Sequence, residues 1–280
     1  MEYVKLNNGV EMPVLGLGTY EGTDKGVALR SVRDALEVGY RLIDTAQYYG
    51  NEQYIGQALK ESGVAREEVF LTSKIWFNRF EACYEAVLES LRTLQVDYLD
   101  LILLHWPFGN TYKAYRDLER LLEEGKVRSI GVSNFHADRL IDIARYNKVV
   151  PAVNQIETNL LCQQRQCHEW MERLGVRHEG YAPFGQGLAD DIYADPCLQA
   201  IAEEHGKSTR QVALRFLIQQ GVTVIPKSAR RERMEQNIDV FDFQLTEDEM
   251  QRLAAFDRRV PLTCDPAEPG AAWSSDQWKG

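Results

Sequence analysis

Tyr98-Leu99-Asp100-Leu101-Ile102-Leu103-Leu104-His105 is the stretch from which the fold can be read. Its apolar residues are consecutive, without the alternation of a strand wetted on one face. A parallel strand covered on both sides has this pattern. Seven other short runs share the character: Val14–Thr19, Arg41–Ala46, Val69–Ile75, Val127–Ser133, Val150–Ile156, Val176–Pro183 and Val222–Pro226. Between them lie stretches whose apolar residues recur at helical spacing, among them Ala28–Val38, Glu81–Leu94 and Tyr112–Glu124. Ser208-Thr209-Arg210-Gln211 and Thr246-Glu247-Asp248-Glu249 have the form of capping boxes that open two later helices. Eight strands alternating with helices predict an α/β protein, a (β/α)8 TIM barrel formed as a single domain over residues 1–280. A doubly wound sheet is the rival, and it would carry G-x-G-x-x-G after its first strand. Gly16-Leu17-Gly18 begins that pattern, but position 21 is Glu and no clear helix follows, so the two glycines read as a tight turn.

Composition narrows the function classes. The 280 residues are 44% hydrophobic and 26% charged, which excludes a wholly disordered or collagen-like chain. The net charge of −10 opposes binding to nucleic acid phosphates or an anionic membrane surface. No stretch approaches the roughly 20 apolar residues of a membrane span. Met1-Glu2-Tyr3-Val4-Lys5 lacks the order of a signal peptide. Five cysteines without C-x-x-C spacing suit a reducing compartment, so a cytoplasmic protein is expected. Cys162, Cys167 and His168 match no common zinc pattern, and no metal is expected.

In a barrel the chemistry lies at the carboxyl ends of the strands. The second run reaches Asp44, with Tyr49 five residues on; the third ends Ser73-Lys74, and the fourth His105-Trp106-Pro107. Each residue alone has an ordinary explanation as a turn cap, a solvated rim residue or a satisfied core histidine. Together they place four different ionisable groups at one mouth, on runs otherwise too apolar to carry them. A phenol titrates near 10, too high for ready proton exchange at neutral pH. A neighbouring ammonium lowers that pKa, and a carboxylate holds the ammonium in place. On this reading Tyr49 is a general acid, Lys74 its tuner and Asp44 the anchor, while His105 donates to a carbonyl oxygen.

The chain resembles the aldo-keto reductase superfamily, in particular bacterial enzymes similar to 2,5-diketogluconate reductase. The likeness runs from about Leu6 to Phe256. It rests on Gly16-Leu17-Gly18-Thr19, Gly39 to Ala46 with Tyr49-Gly50-Asn51-Glu52, Leu104-His105-Trp106-Pro107, Ile130 to Phe135, Val153-Asn154-Gln155-Ile156-Glu157 and Ile225-Pro226-Lys227-Ser228. The resemblance implies a catalytic tetrad of Asp44, Tyr49, Lys74 and His105. It also implies NADPH/NADP+ as cofactor, bound without a Rossmann fold, and hydride reduction of aldehydes or ketones to alcohols. Ser133, Asn134 and Gln155 then hold the nicotinamide amide and Tyr181 stacks on its ring. The segment with Phe184, Gln186 and Leu188 passes over the pyrophosphate. Lys227, Ser228 and Arg233 grip the 2′-phosphate, in the one basic cluster of an acidic chain, and Asn237 reaches the adenine. Two positions depart from the family pattern: Gln236 replaces the usual Glu, and Thr158-Asn159-Leu160 replaces a His-Pro pair.

Tyr20, Trp76 and Trp106 follow the first, third and fourth runs and are expected as apolar walls for a small-molecule carbonyl substrate. Pro261–Gly280 lacks periodicity but contains Trp273 and Trp278, which gives a surface tail with a lid over the same mouth as the expectation. The family implies a monomer. Two other readings exist: a non-catalytic NADP(H)-binding barrel, which the intact tetrad opposes, and a hydrolase. For the hydrolase, Gly131-Val132-Ser133-Asn134-Phe135 lacks the closing Gly of a nucleophile elbow.

Overall fold

The computed structural model describes residues 1–20, 24–263 and 265–267. A short antiparallel hairpin comes first, β1 (Tyr3–Lys5) paired with β2 (Glu11–Pro13). Eight parallel strands follow: β3 (Leu17–Gly18), β4 (Leu42–Asp44), β5 (Phe70–Ile75), β6 (Leu101–Leu104), β7 (Ile130–Ser133), β8 (Val153–Glu157), β9 (Arg177–Tyr181) and β10 (Thr223–Val224). Each pairs with its sequence neighbour, and parallel bridges Leu15–Val224 and Gly18–Lys227 close the sheet on itself. All eight predicted strands are present, and the chain is the expected barrel.

The crossovers are helical. They are α1 (Lys25–Val38), α2 (Glu52–Ser62), α3 (Cys83–Leu94), α4 (Thr111–Glu123), α5 (Ala137–Tyr146), α6 (Arg165–Leu174), α7 (Pro196–His205) and α8 (Thr209–Gln219), the last two both lying between β9 and β10. After the barrel come α9 (Arg231–Ile238) and α10 (Glu247–Ala254). Both predicted capping boxes form. Ser208 accepts from the Gln211 amide and Thr246 from the Glu249 amide, and the Gln211 and Glu249 side chains accept from the Ser208 and Thr246 backbone.

Two apolar layers hold the barrel. The larger lies between the strands and the helices and includes Ile43, Leu71, Ile102, Leu104 and Val132. The smaller fills the barrel interior with Leu42, Phe70, Leu101, Leu103, Val153 and Ile225, and the hairpin closes its lower end with Leu6 and Met12. This hairpin leaves no clear pattern in the sequence, because its strands are three residues long and half exposed. Asp100, which interrupts the fourth run, accepts from the Leu71 amide and pairs with Arg66 and Arg128.

The Gly16 and Gly18 pair is not the tight turn expected. Both have ordinary negative φ and lie along the closing strand. A Cβ on Gly18 would stand 2.8 Å from the Ile225 carbonyl oxygen, and one on Gly16 would meet Leu42 at 2.4 Å. Strand closure rather than chain reversal explains these glycines.

Gly56 records a second close approach. Within α2, its absent Cβ would lie 2.1 Å from the Leu94 carbonyl oxygen at the end of α3. Gly→Ala inside a helix ordinarily stabilises by up to about 1 kcal/mol. Here it forces two packed helices apart, so Gly56→Ala is expected to lower stability by about 1–3 kcal/mol. A thermal melt with an unchanged or raised midpoint would show that α2 and α3 separate freely.

Candidate active site

Strand alternation sets the site. In β4, β5 and β6 the residues inside the barrel are Leu42, Phe70, Leu101 and Leu103, while Ile43, Leu71 and Ile102 face the helices. Continuing every second residue along each strand carries Asp44, Lys74 and His105 into the upper end of the same interior. Gln155, Glu179 and Tyr181 follow in the same way on β8 and β9. Tyr49 arrives differently, on a 3-10 turn, Gln47–Tyr49, that Gly50 terminates at φ 65°. Asn51 anchors that turn: its amide donates to the Thr19 carbonyl at 2.9 Å and its oxygen accepts from the Thr45 hydroxyl at 2.7 Å.

The four predicted catalytic residues meet. Lys74 is 0% exposed, and its Nζ donates to Asp44 Oδ1 at 2.5 Å and to the Thr45 carbonyl at 2.9 Å. It lies 5.2 Å from the centroid of the Tyr49 ring. The His105 ring stands edge-on to Tyr49 at 5.7 Å and to Trp76 at 5.0 Å. Burial, with the Lys74 charge as a second cause, holds the imidazole pKa well below its ordinary value, so His105 is neutral at pH 7. Its Nδ1 is buried without a hydrogen-bond partner among the described residues.

The Tyr49 phenol departs from expectation. Burial first, then the Asp44 charge, pushes its pKa well above the ordinary 10. Lys74, 5.2 Å from the ring centroid and paired with Asp44 at 2.5 Å, does not outweigh them. The phenol therefore holds its proton firmly.

These groups open on a cavity of about 550 Å³ lined by Tyr20, Tyr48, Trp76, Trp106, Phe184 and Thr263 together with the tetrad's Asp44, Tyr49 and His105. Ser133, Asn134, Gln155, Tyr181, Gln186 and Lys227 line it too. Asn134, at φ 63°, donates to the His105 carbonyl at 3.0 Å and accepts from the Tyr181 hydroxyl at 2.9 Å. Ser133 donates to the Gln155 carbonyl at 2.9 Å. Leu188 does not join them: it is 65% exposed and lies off the cavity, because the Gly185–Gly187 turn carries the chain outward.

Beyond the cavity, Ser228 and Arg230 precede α9, and Arg233 lies in its first turn. Arg231 is bound by Glu37 at 2.6 Å and Glu235 at 3.0 Å, whereas Arg233 is exposed and makes no ion pair among the described residues. Ser228 is buried and accepts from the Arg230 amide at 3.1 Å. Asn237 is buried next to the Tyr40 hydroxyl. The start of the tail is tied down over the mouth: Glu157 accepts from the Leu262 amide at 2.8 Å and the Thr263 amide at 2.9 Å. Trp273 and Trp278, proposed for the lid, lie outside the described residues.

Two residues of the site were not found from the sequence. Tyr48 stacks on Trp76 at 3.9 Å between centroids, a wall that its neighbour Tyr49 obscured. Glu179 is 0% exposed, and its Oε2 accepts from Gln155 Nε2 at 2.8 Å. The same nitrogen donates to Asp44 Oδ2 at 2.8 Å. A charged residue inside the predicted run Val176–Pro183 was the available signal. Burial, then the Asp44 charge, pushes the Glu179 carboxyl up to about 8, against lowering by Gln155, Lys74 and Arg177.

The folded protein therefore keeps a proton at pH 7 that the unfolded chain, with its ordinary 4.5, releases. Stability from this group is present below pH 4.5 and is lost as pH rises through about 8. Glu179→Gln removes that loss. The melting temperature of the variant relative to the parent is expected to climb across this interval and then level off. A constant difference would show Glu179 to be ionised throughout.

Comparison with known proteins places this geometry. The aldo/keto reductase family model matches residues 14–258. The chain is 42% identical over 268 residues to the glyoxal reductase of Bacillus subtilis, covering 95% of this chain and 96% of that protein. It is 40% identical over 273 residues to the methylglyoxal reductase DkgA of Escherichia coli, covering 95% and 98%. The Bombyx mori aldo-keto reductase solved in complex with NADP superposes with a TM-score of 0.90 at 32% identity, over 99% of this chain and 96% of that one. The chain belongs to the aldo/keto reductase family.

Proposed function

We infer that this aldo/keto reductase reduces short aldehydes, α-oxoaldehydes such as methylglyoxal among them, with Tyr49 as the proton donor. The reaction class is NADPH-dependent reduction of a carbonyl to an alcohol. The observation that carries the assignment is the Lys74–Asp44 ion pair sealed beneath Tyr49 at the floor of an aromatic-walled cavity.

The residues present fit the cofactor. Asn134 Oδ1 and the Gln155 amide bring hydrogen-bonding capacity of the kind a carboxamide takes, and Tyr181 lines the same wall. Lys227 and Arg233 would hold a 2′-phosphate by charge-assisted hydrogen bonds. When bound, NADPH supplies the hydride received by the carbonyl carbon.

The protein supplies the proton and the alignment. His105, neutral, donates to the carbonyl oxygen and orients it. Tyr49 keeps its proton at neutral pH and gives it up as the oxygen becomes an alkoxide, a far stronger base than a phenolate. The phenolate left behind lies close to Lys74, whose charge offsets it until solvent returns the proton. Aromatic walls exclude water and favour small or flat substrates over bulky sugars. All these groups come from one chain, which is consistent with a monomer, and the buried thiols of Cys83, Cys162 and Cys167 suit the cytoplasm. Among the described residues no helix is long and apolar enough to cross a membrane.

Tyr49→Phe keeps the ring and removes the proton. Turnover of methylglyoxal, followed by NADPH absorbance, should fall by about 10²–10⁴-fold with NADPH affinity retained. Near-normal turnover would remove Tyr49 from the donor role.

Arg233→Ala deletes one phosphate contact. NADPH binding is expected to weaken by roughly ten- to a hundredfold while NADH binding stays nearly constant. Equal losses for both cofactors would make Arg233 a support of the fold.

A further inference from the structure

Glu179 is a buried acid that the mechanism above does not use. It lies on β9, and its neighbours are Asp44 from β4, Lys74 from β5, Gln155 from β8 and Arg177 from its own strand. Both hydrogens of the Gln155 amide nitrogen are spent inside the barrel, one on Asp44 Oδ2 and one on Glu179 Oε2, each at 2.8 Å. An amide whose nitrogen is held from two sides cannot exchange its nitrogen and oxygen ends without turning its oxygen toward the Asp44 carboxylate and losing the bond to Glu179. Asp44 alone takes one hydrogen of that nitrogen and leaves the other free for the cavity.

We propose that Glu179 is a positioning residue: by accepting from Gln155 Nε2 opposite Asp44, it fixes the Gln155 amide with Oε1 as its only atom available to the cavity. Gln155 then offers the cofactor an acceptor and never a donor. The amino group of a carboxamide satisfies that acceptor and its carbonyl does not, so one orientation of the nicotinamide is selected. The second carboxyl oxygen of Glu179, Oε1, has no partner among the described residues. It is the atom on which a proton removes the cost of a second buried charge beside Asp44. The polar chain Lys74–Asp44–Gln155–Glu179 thus ties the catalytic ion pair to the cofactor wall.

The inference rests on the reductase reading, and the experiment separates the two. NADPH and adenosine 2′,5′-bisphosphate, which has the phosphates but no nicotinamide, are titrated calorimetrically into the parent, Glu179→Met, Glu179→Gln, Gln155→Met and the Glu179→Met/Gln155→Met double variant. Glu179→Met should weaken NADPH about 3- to 10-fold, the value of one ordinary hydrogen bond, and leave the bisphosphate unchanged. Glu179→Gln keeps an acceptor in place and should stay close to the parent. With Gln155 already replaced, Glu179→Met should add nothing.

Parental NADPH affinity in Glu179→Met overturns the proposal, as do equal losses for both ligands or a full additive loss in the double variant. Should Glu179→Met not fold, Glu179→Thr, too short to reach Gln155, takes its place with the same expectations. A parent that binds neither ligand defeats the reductase reading itself. A parent that binds both, with an indifferent Glu179→Met, defeats only the positioning role.

Discussion

Lys74 carries a charge with no exposure to water, and the upper barrel is arranged around that fact. Burying an ion costs several kcal/mol even after relaxation, and removing one partner of a buried pair costs about 3–5 kcal/mol. Asp44 at 2.5 Å and the Thr45 carbonyl at 2.9 Å make the burial tolerable. Asp44 then has one oxygen left, which Gln155 satisfies, and Gln155 has one hydrogen left, which Glu179 accepts. Each polar group in the layer is there because the one before it needs a partner. An eight-stranded barrel leaves an interior just wide enough for side chains, so these groups meet one another's hydrogen-bonding needs across it.

The layer beneath makes this polarity affordable. Leu42, Phe70, Leu101, Leu103 and Val153 fill the lower interior, and Leu6 and Met12 of the hairpin close it from below. The same strands that bury these residues present ionisable ones a pleat or two higher. Stability and chemistry are therefore separated along the barrel axis, with apolar packing at one end and unequal proton affinities at the other. Within the polar end the two carboxyls are held differently: Asp44, which burial pushes up against the pull of Lys74, pairs with the ammonium at 2.5 Å, and burial with the Asp44 charge pushes Glu179 up to about 8.

The order of elements, the eight runs, the two capping boxes and the tetrad were legible in the sequence because each depends on neighbours within a few positions. A continuous apolar run, a hydroxyl three residues before a Glu or Gln, and an imidazole or ammonium ending an apolar strand are local patterns with local causes. They also carried the family resemblance. What only the tertiary structure decided depends on residues far apart in the chain. Closure of β3 on β10 explains Gly16 and Gly18, which sequence reasoning took for a turn. The meeting of α2 with α3 explains Gly56. The Tyr49 pKa moves opposite to expectation because burial and the Asp44 charge outweigh Lys74. Glu179 reads as an unremarkable acid within a strand until Gln155, 24 positions earlier, is seen between it and Asp44. Spacing along the chain determines which face a side chain takes; which partner stands on that face, and so which atom keeps a proton, is decided only when distant strands close the barrel.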